Sequence, residues 1–146
     1  MEITGTYTFA APPERVWALL MDPATIASCI PGCEQLEPDG PDRYRARLKV
    51  ALAAITGTYD GTVVLSDKTE PTSYTLTVEG QGKPGFVKGR ATIALHAEGT
   101  ATIVDVSGTV DAGGPIARVG QRLIGSVSKM MQDRFFACLQ GKIANS

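Results

Sequence analysis

Gly114-Pro115-Ile116-Ala117-Arg118-Val119-Gly120-Gln121-Arg122-Leu123-Ile124-Gly125-Ser126-Val127-Ser128-Lys129-Met130-Met131-Gln132-Asp133-Arg134-Phe135-Phe136-Ala137-Cys138-Leu139-Gln140-Gly141 reads as one long amphipathic helix. Pro115 suits a first helical position, where its missing N–H has no partner to lose, and Gly141 suits a C-terminal stop. At about 100° per residue, Ile116, Val119, Leu123, Val127, Met130, Met131 and Cys138 share one stripe. Arg118, Gln121, Arg122, Lys129 and Asp133 lie opposite or beside it. Such a helix would be roughly 39 Å long. That exceeds what a small domain needs to plug a core, so a wide sheet is the expected partner.

The strands to build that sheet stand upstream. Glu2 to Phe9 alternates, with Ile3, Gly5, Tyr7 and Phe9 on one face. Ala11 to Leu20 opens with prolines and offers Val16, Trp17, Leu19 and Leu20 for burial, which predicts a short helix. Asp22-Pro23 starts a second, over Ala24 to Ser28, which Ile30-Pro31-Gly32 stops. Strands then follow one another over Cys33 to Glu37, Arg43 to Leu52, Ile55 to Ser66, Ser73 to Gly80, Phe86 to Ala97 and Thr100 to Ala112. Turn signals separate them at Pro38-Asp39-Gly40, Glu70-Pro71, Gly82-Lys83-Pro84-Gly85 and Glu98-Gly99. The close spacing implies an antiparallel meander, with a hairpin at Glu98-Gly99. Gly57, Gly61, Gly80 and Gly89 fall inside strands, as a strongly curved sheet requires. The reading is α+β: a curved sheet gripping the last helix.

Composition limits what this domain can be. A chain of 146 residues is the usual size for one domain, here 1–146. Its 43% hydrophobic and 20% charged residues are ordinary for a globular protein, and a net charge of −1 with pI 5.8 gives no footprint for nucleic acid. No apolar run approaches a membrane span, and Met1-Glu2-Ile3 does not open a signal peptide, so a cytoplasmic protein is expected. Cys29, Cys33 and Cys138 are an odd number with the wrong spacing for a zinc site, and they are read as reduced thiols. No metal and no cofactor is expected.

Four stretches carry a resemblance: Ser28-Cys29-Ile30-Pro31-Gly32-Cys33-Glu34, Gly57-Thr58-Tyr59-Asp60-Gly61, Gly113 through Ile124, and Arg134-Phe135-Phe136. Together, and in order, they resemble the carbon monoxide dehydrogenase G-subunit family of the START-like (SRPBCC), helix-grip superfamily. The resemblance implies a seven-stranded antiparallel sheet around the C-terminal helix, enclosing an elongated apolar cavity. It also implies an accessory protein for a molybdenum hydroxylase, involved in that enzyme's maturation or membrane attachment. Larger members carry a C-terminal tail that can reach the membrane; this sequence ends at Ser146, and tail-mediated anchoring is not expected of it.

Catalytic chemistry finds little to stand on. His96 alternates outward, as do Asp60, Asp105 and Asp111, so neither a nucleophile–base pair nor an inward carboxylate pair emerges. Gly80 to Gly85 lacks the Gly-Lys-Ser/Thr ending of a phosphate loop and is a plain loop, at a cavity mouth. Arg134, seven residues past Val127, drifts only about 20° from that residue's direction. It either snorkels out to solvent or meets a ligand's polar head at one end of the cavity. Arg43, Arg45, Arg47 and Lys49 form an outward basic row, either a solvated face or a docking strip for an acidic partner or lipid headgroups.

The expected ligand-binding residues are Ile26, Ile30, Leu48, Val50, Tyr59, Leu76, Val78, Phe86, Ile93, Leu123, Val127, Met131 and Arg134. An apolar wall with a tyrosine hydroxyl or two suits a hydrophobic small molecule such as a lipid or quinone. The first reading is a non-catalytic binding protein serving a molybdenum hydroxylase, with peripheral contact at the inner face of the membrane. The alternatives are a START-like cyclase or hydratase acting on an apolar ring, and a closed-core protein acting through its surface.

Overall fold

The computed structural model describes residues 1–51 and 55–144. It begins with β1 (Glu2–Phe9), α1 (Pro13–Met21) and α2 (Pro23–Cys29). Six strands follow: β2 (Cys33–Pro38), β3 (Arg43–Val50), β4 (Gly57–Thr69), β5 (Ser73–Gly82), β6 (Gly85–Glu98) and β7 (Ala101–Gly113). A 3₁₀ segment over Gly114–Val119 leads into α3 (Gln121–Ala144). The seven strands form one antiparallel sheet in the order β1-β7-β6-β5-β4-β3-β2, so the meander is sequential and β1 closes it against β7. The expected strand over Arg43 to Leu52 ends at Val50, and Leu52 lies outside the described residues.

Alternation sets the faces. Tyr7 and Phe9 of β1, Tyr44 and Ala46 of β3, Val63 and Leu65 of β4 and Ile93 and Leu95 of β6 point to the concave side, where α1 and the end of α3 cover them. Phe9, Leu20, Ile93 and Leu139 are fully buried there, and Trp17 meets Tyr74 edge-on with ring centroids 5.6 Å apart. Thr102, also fully buried, donates its hydroxyl to the Ala11 carbonyl at 2.7 Å. A smaller cluster, Ile55, Tyr59 and Ile116 with Val50, Val87, Val119 and Val127 around it, forms at the other end. Gly99, at φ +62°, makes the tight β6–β7 turn, with Glu98 opposite Ala101.

The closing helix departs from its expected form at both ends. Gly120 has φ +91°, a conformation that no right-handed helix contains, and it separates the 3₁₀ turn from α3. A 3₁₀ turn advances by three residues, so periodicity cannot be carried across the break, and the buried stripe moves round by about one residue. Ile124, not Leu123, faces inward, followed by Phe136, Leu139 and Ile143. Gly141 does not stop the helix, which runs to Ala144. Its cost of about 1 kcal/mol in a helix is offset by burying Ile143 two residues further on, worth about 1.5–3 kcal/mol.

A clasp fixes α3 to the sheet edge. Tyr7 stacks on Phe136 at 4.3 Å and donates its hydroxyl to Asp133 at 2.6 Å; Lys129 reaches the same carboxylate at 2.8 Å. Gln132 donates to the Thr4 carbonyl and to the Tyr7 hydroxyl, so a helix side chain satisfies part of the β1 edge. The hydrogen bond from Lys129, then that from Tyr7, holds the Asp133 carboxyl below the usual carboxylate range. A depressed folded-state pKa stabilises above the unfolded value and ceases to do so as pH falls through the folded one. Asp133→Asn is therefore expected to lower the melting temperature at neutral pH by an amount equivalent to at most about 1 kcal/mol, as such exposed groups allow. Melting curves of the two proteins should converge as the pH is taken down through the carboxylate range.

The cysteines correct a sequence expectation. Cys29 at the end of α2 and Cys138 on α3 are joined by a disulfide, with Cα atoms 5.4 Å apart across 109 residues of chain. Helix packing brings together two residues whose separation gave no hint of pairing. Only Cys33 is a free thiol, half-buried, with its pKa pushed up by burial. Closing so long a loop restricts the unfolded chain. Cys138→Ser is expected to cost about 2–5 kcal/mol of unfolding free energy in urea titrations without reductant, and dithiothreitol should bring the wild type down toward the variant.

Candidate functional site

Inward positions in the middle of the sheet are unusually small: Ala46 on β3, Gly61 on β4, Gly80 on β5, Gly89 and Ala91 on β6. α3 cannot descend into this hollow, because Phe135 and Phe136 at one end and the Ile116 cluster at the other hold it off. The result is a cavity of about 400 Å³ whose wall takes residues from both core clusters. It lies where the two cores fail to meet. Ile26, Ile30 and Pro31 of the α2 region form one side, and Ile124, Val127, Ser128 and Met131 of α3 form the roof.

Ten of the thirteen expected residues come together on this wall: Ile26, Ile30, Leu48, Val50, Tyr59, Leu76, Val78, Ile93, Val127 and Met131. Three are placed elsewhere. Phe86 is 44% exposed on the convex face, lying across Gly113 and bordering a separate surface depression with Asp60, Glu79, Gln81 and Lys88. Leu123 is 38% exposed, displaced by the phase change at Gly120. Arg134 is exposed and absent from the wall. Val127 sits at the edge of the inward stripe, so a further drift of about 20° carries position 134 into solvent.

The remaining sequence features also find places. The outward arginines are paired: Arg47 with Asp60 at 2.8 Å, Arg43 with Asp39 at 3.5 Å, and Arg45 with Glu37 at 3.9 Å. The three arginines of that row thus form a solvated, charge-balanced face. His96 is exposed beside Asp105 at 3.7 Å. Gly80 to Gly85 is the β5–β6 hairpin, with Gly82 opposite Gly85, and the Pro84 carbonyl accepts from the Ile116 N–H at 2.5 Å. Val104, an inward position, is fully buried in the main core and away from the cavity.

Polar groups on the wall are few. Tyr59 donates its hydroxyl to the Ile55 carbonyl at 2.7 Å, and burial raises its pKa. Gln132 spends its amide on Thr4 and Tyr7. Tyr74, which the expected set omits, also lines the cavity and is 4% exposed. Its place was legible, since Tyr74 shares the inward phase of β5 with Leu76 and Val78. Among the described residues no cluster of three or more His, Cys, Asp or Glu side chains could hold a metal. No described helix is long and apolar enough to cross a membrane. The wall is suited to enclosing an apolar molecule, and it offers that molecule very few charges.

A curved antiparallel sheet gripping a C-terminal helix over an internal cavity defines the START-like, helix-grip class. The chain belongs to the CoxG family, named for the G subunit of carbon monoxide dehydrogenase, whose model matches residues 5–144. A conserved protein from Geobacillus kaustophilus, known from its crystal structure, is 36% identical and superposes with a TM-score of 0.96 over 100% of this chain and 97% of its own. A Thermus thermophilus protein is 19% identical with a TM-score of 0.74, covering 99% of this chain and 98% of that one. A START superfamily protein from Mycobacterium smegmatis is 13% identical, with a TM-score of 0.74 over 99% and 97%. These last two share the fold. No curated protein matches the sequence.

Proposed function

We propose that this protein is a non-catalytic accessory of a carbon monoxide dehydrogenase-type molybdenum hydroxylase that holds a hydrophobic small molecule, of the lipid or quinone kind, between its sheet and α3. The observation that carries this reading is the cavity of about 400 Å³, walled largely by aliphatic and aromatic side chains and large enough for a small apolar ligand. Membership of the CoxG family supports the partner enzyme. The outward placement of His96, Asp60, Asp105 and Asp111 favours binding over the cyclase or hydratase alternative, since those reactions need ionisable groups at the ligand. The cavity itself argues against a closed-core protein acting by its surface alone.

Native mass spectrometry on protein purified from its own host, followed by solvent extraction, tests the reading. The expected result is a mass excess that extraction removes and that is identified as an apolar molecule. A chain carrying no excess mass, and unable to take up lipid or quinone when these are supplied, would overturn it.

A further inference from the structure

Tyr74 is a deeply buried wall residue whose polar group is left over. Its side chain is only 4% exposed, its cross-strand neighbour on β6 is Ile93, and Trp17 meets its ring at 5.6 Å. Yet among the described residues its hydroxyl has no hydrogen-bond partner, whereas Tyr59 uses its own on Ile55. No fully enclosed side-chain nitrogen or oxygen lacks a partner among the described residues, so the Tyr74 oxygen keeps open surface, and as a wall residue it offers its unpaired hydroxyl to the cavity, where a core selected for packing alone would carry phenylalanine. Burial alone pushes the Tyr74 pKa up, with no neighbouring charge contributing. The group is therefore a neutral donor at any physiological pH.

We propose that Tyr74 is the polar anchor of the cavity and that it selects neutral apolar molecules bearing an oxygen acceptor, such as a carbonyl, which takes the hydrogen bond from its hydroxyl. This rests on the cavity being a ligand site. A carboxylate head is disfavoured at this end, because Arg90, a cation bordering the cavity, turns its exposed side chain out toward Asp67, and an anion beside Tyr74 would meet a neutral donor. A pure hydrocarbon is accommodated but leaves the hydroxyl unpaired. The anchor thus sets which end of an elongated ligand enters first: the acceptor goes to Tyr74, under α1, and the apolar remainder lies along α3.

The test uses a matched pair of probes, 2-acetylnaphthalene and 2-ethylnaphthalene, which differ in a carbonyl oxygen, against the wild type and Tyr74→Phe. Phenylalanine keeps the ring against Trp17, and an unchanged near-ultraviolet circular dichroism spectrum establishes that the variant is folded. The wild type should favour the ketone relative to the variant by about tenfold, as the ratio of dissociation constants across the cycle. The carbonyl stretch of bound ketone should lie at lower frequency in the wild type than in Tyr74→Phe. Equal ratios and equal stretching frequencies in the two proteins, with both probes bound, would overturn the anchor and leave the cavity standing. Binding of neither probe to the wild type would overturn the cavity reading, and the anchor with it.

Discussion

Gly80→Val is expected to abolish most ligand binding while leaving the protein folded. Gly80 lies on β5 in the inward phase and borders the cavity, and a Cβ added there would meet only the Tyr59 Cβ, at 4.0 Å. That is ordinary van der Waals contact. The two valine methyl groups can go only into the space a ligand would use, and overpacking of this kind costs about 1–3 kcal/mol, or roughly 5- to 150-fold in affinity. The fold should gain, since glycine is poor in a strand and valine good, by up to about 1 kcal/mol. Calorimetric titration of an apolar probe, with a thermal melt on the same samples, reads both effects. Unchanged affinity would mean that the ligand does not occupy this cavity. The cross-strand partner Gly61 supplies the contrast: its Cβ would overlap the Glu79 carbonyl oxygen, so Gly61→Val is expected to destabilise the sheet itself.

Phe136→Ala is expected to be the most damaging single change to stability, at about 3–5 kcal/mol. Phe136 is 4% exposed and central to the attachment of α3: it stacks on Tyr7 at 4.3 Å and meets Phe9 at 6.3 Å and Phe135 at 5.2 Å, both edge-on. Truncation removes all three ring contacts and loosens the Tyr7 ring, on which the hydrogen bonds to Asp133 and Gln132 depend. For a domain of this size the loss is a large part of a total stability of about 5–15 kcal/mol. Urea denaturation should show the midpoint falling sharply with little change in slope. A loss below about 1 kcal/mol would mean that α3 is held chiefly elsewhere, by Leu139, Ile143 and the Cys29–Cys138 bond.

What could be read from the sequence follows from which physical signals are local. The strands of the meander were legible because one face is apolar and period two is strict, as in Arg43 to Val50, where every second residue is Arg or Lys. Ten wall residues were legible for the same reason: once the sheet and helix are assigned, phase alone points Leu48, Leu76, Val78 and Ile93 inward. Helix phase was harder. Nothing in Arg118-Val119-Gly120-Gln121 announces that Gly120 adopts φ +91° instead of continuing the helix, and that single dihedral moves Leu123 off the wall, while Arg134 leaves it by its drift past Val127 at the stripe's edge. The Cys29–Cys138 pairing was out of reach because it depends on how α2 crosses α3, 109 residues away. Tyr74 was readable as inward, but its importance lies in an absence: no acceptor among the described residues stands beside its hydroxyl, which only three-dimensional neighbours can establish.

The proposed function depends on an open, apolar space between α3 and the middle of the sheet. Diffraction from crystals of the ligand-stripped protein under xenon pressure tests for that space most directly, since xenon enters dry apolar cavities and little else. Xenon density bounded by Leu76, Val78, Val127 and Met131 is the predicted result, together with its loss in Gly80→Val. A collapsed interior, with α3 resting on Gly80 and Ala91 and no xenon between them, would contradict it.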